Sequence, residues 1–141
     1  RWRKYMTEGE FPDAMIRILL SVFLADQVES RKSFDVIRET LTGSERMKDL
    51  EGGDLRQIIR EQSRIIQTDT DQAIDTLPRL LSSQKDRNDA LAMVDSVVRN
   101  LGRELEMQEL AALERIKAVL GASKAKAPME APMQPDTQLG A

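Results

Sequence analysis

The chain carries one helical pattern twice, as DAMIRILLSVFLADQVESRKSFDVIRETL over Asp13–Leu41 and as DALAMVDSVVRNLGRELEMQELAALERIKAVL over Asp89–Leu120. Each copy begins with Asp-Ala, runs as an apolar helix, crosses a short charged break and enters a second helix. After the break, the apolar anchors three and four residues apart are Phe34, Ile37 and Leu41 in the first copy, and Leu110, Leu113, Ile116 and Leu120 in the second. Two such hairpins predict a compact bundle with pseudo-symmetry. The alternative is a coincidence between two ordinary amphipathic hairpins.

Start, stop and spacing signals divide the chain into about six helices, and nothing alternates with the period of a strand. The starts are expected at Pro12, at Glu29 or Ser30, after Asp54 as a cap, at Asp69 or Thr70, at about Lys85, and in the second arm of the later hairpin. Pro78 bends or restarts the fourth helix. Met47 and Leu50 are candidate anchors of a short turn between the second and third helices. The sequence therefore predicts an all-α protein.

Two helices carry a polar residue on an otherwise apolar surface. Arg17 interrupts the first helix, whose apolar stretch from Ala14 to Ala25 is expected to be buried on nearly all sides. Gln62 stands in the middle of the third helix's apolar stripe, which comprises Leu55, Ile58, Ile59, Ile65 and Ile66.

Composition places the chain among single-domain globular proteins. It has 141 residues, a length sufficient to bury a single hydrophobic core. Hydrophobic residues make up 40% of the chain and charged residues 32%. Aromatic residues make up only 4%, so the core is expected to be aliphatic, as in helical bundles.

The chain has little of the equipment of an enzyme. It has no cysteine and no histidine, which removes thiolate chemistry, the commonest general base and the commonest transition-metal ligand. Its carboxylate pairs, namely Asp69 with Asp71, Asp86 with Asp89, and Glu104 with Glu106, lie at helix starts, where acids cap the backbone and favour the helix dipole. We expect no catalytic residues, no cofactor and no metal site in this segment.

Net charge and hydropathy exclude some classes of binding partner. A net charge of −3 argues against a surface built for nucleic acid. The apolar stretch from Ala14 to Ala25 is too short to cross a bilayer, so no transmembrane segment is expected.

The two ends predict three regions. Residues 1–10 are interpreted as the end of an upstream element or linker, because the chain begins Arg1-Trp2 without a methionine. Residues 11–121 form the helical domain, which Gly121 ends. Residues 122–141 contain Pro128, Pro132 and Pro135 without apolar periodicity, and we expect a disordered tail.

Two sets of side chains are candidates for contact with a partner. The first is the turn of the earlier hairpin, with Gln27, Val28, Glu29 and Arg31. The second is a possible basic stripe of Arg56, Arg60 and Arg64, which recur every four residues, with Asp54 and Glu61 diluting the charge. The alternative for the second set is an ordinary solvated face.

The two hairpins resemble the TerB-like domain of bacterial tellurite-resistance proteins, through LLSVFLADQVESRKSFDVI and AMVDSVVRNLGRELEMQELAALERIKAVLG. The middle segment, IIREQSRIIQTDTDQAIDTLPRLLSSQKDRNDALAMV, is similar to the C-terminal helical region of bacterial polyhydroxyalkanoate-synthase-like proteins. Those proteins carry an α/β-hydrolase-type domain upstream. The resemblance covers roughly residues 9–121 and implies a helical accessory domain.

The chain departs from the TerB-like pattern where that family is thought to hold a divalent cation. The first turn keeps Ala25-Asp26 but has Gln27 in place of glycine, and Lys32 or Ser33 in place of a later acid. The second turn, Leu101-Gly102-Arg103-Glu104, has no aspartate. We therefore do not carry metal binding over to this chain.

Together these features predict a non-catalytic accessory or interaction module, the C-terminal domain of a larger bacterial polypeptide, in the cytoplasm. Its expected partner is the upstream domain or another protein. Two alternatives stay open: a stand-alone TerB-like stress protein that binds divalent cations, and a peripheral module on a membrane or polymer-granule surface.

Overall fold

The computed structural model describes residues 6–23, 31–48, 50 and 52–121, and every described element is helical. Seven helical segments follow one another: α1 (Phe11–Phe23), α2 (Arg31–Thr42), α3 (Gly52–Thr68), α4 (Thr70–Asp75), α5 (Leu77–Leu80), α6 (Gln84–Leu101) and α7 (Met107–Leu120). The prediction of an all-α fold is confirmed. α4 and α5 together form the fourth predicted helix, interrupted at Thr76 just before Pro78, so the described residues from 11 to 121 contain the six helices that were predicted. The predicted tail, residues 122–141, lies outside the described residues.

Helix α1 is the centre of the bundle and is buried on nearly all sides, as its apolar sequence predicts. It packs against α3 and α7 and also contacts α4, α5 and α6. Pro12 lies in its first turn, where the missing N–H removes no helical hydrogen bond. Ahead of it, the Glu10 backbone N–H donates to Asp13 Oδ2 at 2.8 Å, which closes the start of the helix.

The two hairpins exchange partners across the bundle. The first arm of the early hairpin, α1, packs against the second arm of the late hairpin, α7. Conversely, α2 packs against α6, and the Asn100 amide donates to Thr40 Oγ1 at 3.0 Å between them. A two-fold relation between the hairpins converts the first contact into the second. Among the described residues, the two arms of each predicted hairpin, α1 with α2 and α6 with α7, are not closely packed on each other, so the repeat appears in these cross-contacts and not as two packed hairpins.

The predicted apolar anchors of each second arm become more buried towards its C-terminal end. In α2, Phe34 is 47% exposed, Ile37 is half-buried and Leu41 is buried. In α7, Leu110 is also 47% exposed, whereas the later anchors Leu113, Ile116 and Leu120 are buried. The prediction that Phe34 and Leu110 anchor the core is therefore wrong. Spacing fixes which side of a helix faces inward, but not how far along the helix its neighbours extend.

Helix boundaries follow ordinary capping chemistry, with one correction. Asp69 and Ser83 cap α4 and α6, because their side chains accept the backbone N–H of Gln72 and Asp86. Asp54, which was expected to cap α3, lies inside the first turn of that helix, since the helix begins two residues earlier at Gly52. An acid there still interacts favourably with the positive end of the helix dipole.

Candidate functional site

The feature most suited to binding is an apolar groove between α1, α2 and α3, with a cavity volume of about 150 Å³. Among the described residues, its lining is apolar except for Arg38 and Ser63. The apolar lining comprises Ile16, Leu19, Leu20 and Phe23 of α1, Phe34, Ile37 and Leu41 of α2, and Leu55 and Ile59 of α3. We call this the α1–α2–α3 groove.

The groove exists because α1 and α2 take different partners. α1 packs closely on α3, while α2 packs on α6, which leaves a gap where the three helices meet. Phe34 stands on the α2 side of this gap with nearly half of its surface exposed. Leu20, Ile37 and Ile59 are each half-buried. These side chains form a small continuous apolar surface around the cavity, with Phe34 as its most exposed member.

The predicted basic stripe on α3 borders this groove. Arg56, Arg60 and Arg64 are exposed. At about 100° per residue, Arg56 and Arg60 follow directly around the helix from the groove-lining row of Leu55, Ile59 and Ser63. Arg64 is turned further from the groove. The stripe and the apolar surface thus lie side by side on α3.

The acids of α3 lie on its other flank. Asp54 and Glu61 fall on the opposite side of the buried stripe from the arginines, by the same helical geometry. Glu61 accepts a hydrogen bond from Gln57 at 3.0 Å and lines a separate hollow with Glu8, Glu10 and Asp13. They therefore leave the groove side of α3 basic, although the sequence alone suggested that they dilute the stripe.

The other predicted contact residues, those of the turn between α1 and α2, fall mostly outside the described residues. Gln27, Val28 and Glu29 lie outside the described residues. Arg31 is the first residue of α2, and its side chain is likewise outside the description.

Arg17 and Gln62, the two polar residues on otherwise apolar helix surfaces, form a buried polar cluster inside the bundle. Arg17 is fully buried, and its Nε donates to Gln62 Oε1 at 2.8 Å. Its Nη1 donates to the carbonyls of Met6 and Ala73 and to Thr76 Oγ1, at 2.9, 3.2 and 3.2 Å. Burial lowers the pKa of Arg17 to about 10, which leaves it charged at neutral pH. This cluster joins the N-terminal stretch to α1, α3 and α4.

One carboxylate pair holds the segment after α2 against the bundle. Arg46 Nη1 contacts Asp89 Oδ2 at 2.6 Å, Nη2 contacts Asp86 Oδ1 at 2.9 Å, and the guanidinium lies 3.9 Å from the centre of the Phe11 ring. The hydrogen bond from Lys85, followed by that from Arg46, lowers the pKa of Asp89 despite opposing desolvation. An acid held ionised in this way is not poised as a general acid.

Of the other acids expected at helix starts, Asp71 forms an ion pair with an arginine, and a second arginine binds Glu109 in the first turn of α7. Arg115 contacts Asp71 Oδ1 at 2.6 Å and Asp75 Oδ1 at 3.0 Å. Arg103 binds the buried Glu109 through two hydrogen bonds of 3.0 and 3.1 Å, and Glu109 Oε1 also accepts the Glu106 backbone N–H at 2.8 Å. Burial opposes ionisation of Glu109, but these hydrogen bonds outweigh it and lower its pKa. Among the described residues, no group of three or more acids is placed to hold a metal ion.

Sequence reasoning missed the groove because it assigned the lining to the core. Phe34 was predicted as a buried anchor, and Arg38 was not singled out. The available signal was the narrow apolar stripe of α2, where three large apolar residues are separated by charged ones. Such a stripe can cover only one neighbour, so a helix that packs on α6 leaves part of its apolar surface facing α3.

Comparison of the chain with protein-family models, with curated proteins and with solved structures finds no match in any of the three. Within the part of the chain that the structure describes, no helix combines the length and the apolar character needed to cross a membrane.

Proposed function

We propose that this chain is a non-catalytic accessory module that binds an apolar segment of protein in the α1–α2–α3 groove. The observation that carries the proposal is the exposed Phe34 beside an almost entirely apolar cavity formed by three helices. Each Å² of apolar surface that is removed from water contributes about 25 cal/mol of favourable free energy. Helices with an apolar face bind in grooves of this kind.

The size of the cavity favours side chains of a protein over a small molecule. Its volume of about 150 Å³ is below the roughly 300–1,000 Å³ typical of small-molecule sites. It is comparable to a cavity of about 150 Å³ that is filled by a single benzene-sized ring, the size of one Phe side chain. The groove thus suits one or two anchoring Leu- or Phe-sized side chains of a docked segment.

The resemblance noted in the sequence suggests where this segment resides. If the chain is the C-terminal domain of a larger bacterial polyhydroxyalkanoate-synthase-like protein, the groove receives a segment of its upstream α/β-hydrolase-type domain or of a partner protein. The module then helps to assemble or localise that enzyme. Deleting residues 11–121 from the parent is expected to change its oligomeric state, solubility or location, and an unchanged parent contradicts this assignment.

A photo-crosslinker placed in the groove tests the docking proposal. We expect Phe34→p-benzoylphenylalanine, expressed in the source cell, to form a dominant adduct with one protein or one upstream region, identified by mass spectrometry. Leu110→p-benzoylphenylalanine is the matched control, because Leu110 is equally exposed at the equivalent turn of the other hairpin. No adduct at position 34, or the same adducts at both positions, contradicts the proposal.

A second candidate function is peripheral attachment to a membrane or granule surface. It is favoured by Met107 and Leu110, which share one face in the first turn of α7 and are 85% and 47% exposed. Co-sedimentation with phosphatidylcholine vesicles tests it. Binding that is lost in the Met107→Ser/Leu110→Ser variant supports attachment, and a chain that stays in the supernatant excludes it for this lipid.

A further inference from the structure

We infer that the segment received by the α1–α2–α3 groove is an acidic amphipathic helix, whose apolar face fills the groove and whose Asp and Glu residues meet the arginines of α3. This inference rests on the proposed docking function and specifies the chemistry of the partner. The inference is based on the charged side chains that surround the apolar lining of the groove.

Among the side chains that the structure describes, arginines lie in or beside the groove on two of its three helices. Arg38 of α2 is part of the lining. Arg56 and Arg60 of α3 are exposed, and helical geometry places them next to the lining row of that helix. α1 contributes only apolar residues to the lining. The groove therefore presents one cation inside and two along its α3 edge.

Two acidic residues of α2, Asp35 and Glu39, could offset the positive charge of these arginines. Asp35 contacts Arg38 at 3.6 Å, but both side chains are more than half exposed, so a competing carboxylate can replace this weak ion pair. Glu39 lies on the side of α2 that faces α6, where it lines a separate polar hollow with Asn100. The acids of α3, Asp54 and Glu61, are on its far flank. The α3 edge is thus the basic side, and the partner's acids are expected there.

The overall negative charge of the chain does not oppose such a partner. The net charge is −3, but interactions between exposed charges weaken beyond about 8–10 Å at physiological ionic strength. Attraction at contact distance along the α3 edge is governed by Arg56 and Arg60.

The dimensions of the groove indicate a helix of two to three turns. The lining residues extend from Leu55 to Ser63 on α3 and over a similar length on α1 and α2. At about 1.5 Å per residue this is roughly 12 Å, which matches two anchors, at positions i and i+4 or i and i+7, of a docked helix.

A second copy of this chain fits less well. A symmetric dimer places the same surface on both subunits, so a groove-to-groove contact brings a second set of Arg38, Arg56 and Arg60 into the interface and no acidic edge to match them. Like charges across an interface disfavour that association.

Two designed peptides test the inference. Both are about 18 residues long and carry the same leucine face, but one has glutamates and the other lysines on its flanks. Fluorescence anisotropy with the full chain is expected to show the glutamate peptide binding about tenfold more tightly or better. The Arg56→Glu/Arg60→Glu variant should reverse this preference, and Phe34→Ser should weaken the binding of the glutamate peptide at least tenfold. Circular dichroism confirms that each variant is folded.

The outcomes separate the two proposals. Equal affinity for both peptides, or a preference that charge reversal does not alter, overturns the acidic partner, while a loss of binding in Phe34→Ser preserves the docking groove. If neither peptide binds, or if Phe34→Ser changes nothing, the docking function itself fails. A dimer seen by analytical ultracentrifugation that Phe34→Ser dissociates identifies a second copy as the occupant and also overturns the inference.

Discussion

Arg17 and Gln62 are joined inside the bundle by a hydrogen bond of 2.8 Å from Nε to Oε1, although they lie 45 residues apart in the chain. Arg17 is the polar exception on an apolar helix, Gln62 is the polar exception on the apolar stripe of α3, and both are buried. Together with the carbonyls of Met6 and Ala73, they form a polar centre that fixes α1 against α3 and α4.

Removing Arg17 is expected to destabilise the fold strongly. Arg17→Met leaves the Gln62 amide and two buried carbonyls without this donor, so the free energy of unfolding should fall by about 2–4 kcal/mol. Urea denaturation measures the change. Arg79→Met, at an exposed arginine of α5, is the control and should alter it by less than about 0.5 kcal/mol.

The Arg17–Gln62 pair should also show energetic coupling. Adding Gln62→Leu to Arg17→Met removes the unsatisfied amide, so the double variant is expected to be more stable than the sum of the two single effects, by about 1 kcal/mol. Strictly additive effects would mean that Gln62 is satisfied elsewhere.

Glu109 is expected to make part of the free energy of unfolding depend on pH in the acidic range. Because its pKa is lowered in the folded protein, its contribution is complete above its ordinary pKa of 4.5 and is lost as the pH falls through the lowered value. Glu109→Gln should therefore be less stable than the parent at pH 7, and the difference should shrink towards pH 2–3. Urea denaturation at both pH values measures this. Glu114→Gln, at an exposed position on the same helix, should show no such difference.

Local chemistry explains which parts of this structure could be predicted. Caps such as Asp69, the stop at Gly121 and the restart at Pro78 depend on residues within a few positions, and the sequence identifies them. The apolar spacing likewise identifies Leu41 and Leu113 as buried anchors. By contrast, the Arg17–Gln62 bond and the exposure of Phe34 depend on which helix packs on which, and one-dimensional spacing does not contain that information.

The contacts of Arg46 should matter more than an ordinary surface ion pair. Arg46 contacts two carboxylates and the Phe11 ring, and about a third of its side chain is exposed. Arg46→Met is expected to lower the free energy of unfolding by about 1 kcal/mol after allowance for solvent screening. The matched variant Lys48→Met removes an exposed pair with Glu45 and should change it by less than about 0.5 kcal/mol. Equal effects of the two variants would show that the Arg46 contacts add nothing.

The gradient of burial along α2 separates its structural end from its binding end. Leu41 is 3% exposed, so Leu41→Ala should cost about 2–4 kcal/mol of stability through the lost burial and the remaining cavity. Phe34 is 47% exposed, so Phe34→Ala should cost less than about 1 kcal/mol. Thermal and urea denaturation of the two variants measure the contrast. If Phe34→Ala destabilises the chain as much as Leu41→Ala, Phe34 is a core residue in solution. If the contrast holds, Phe34 is a large aromatic side chain that the fold does not need, as the proposed docking groove requires.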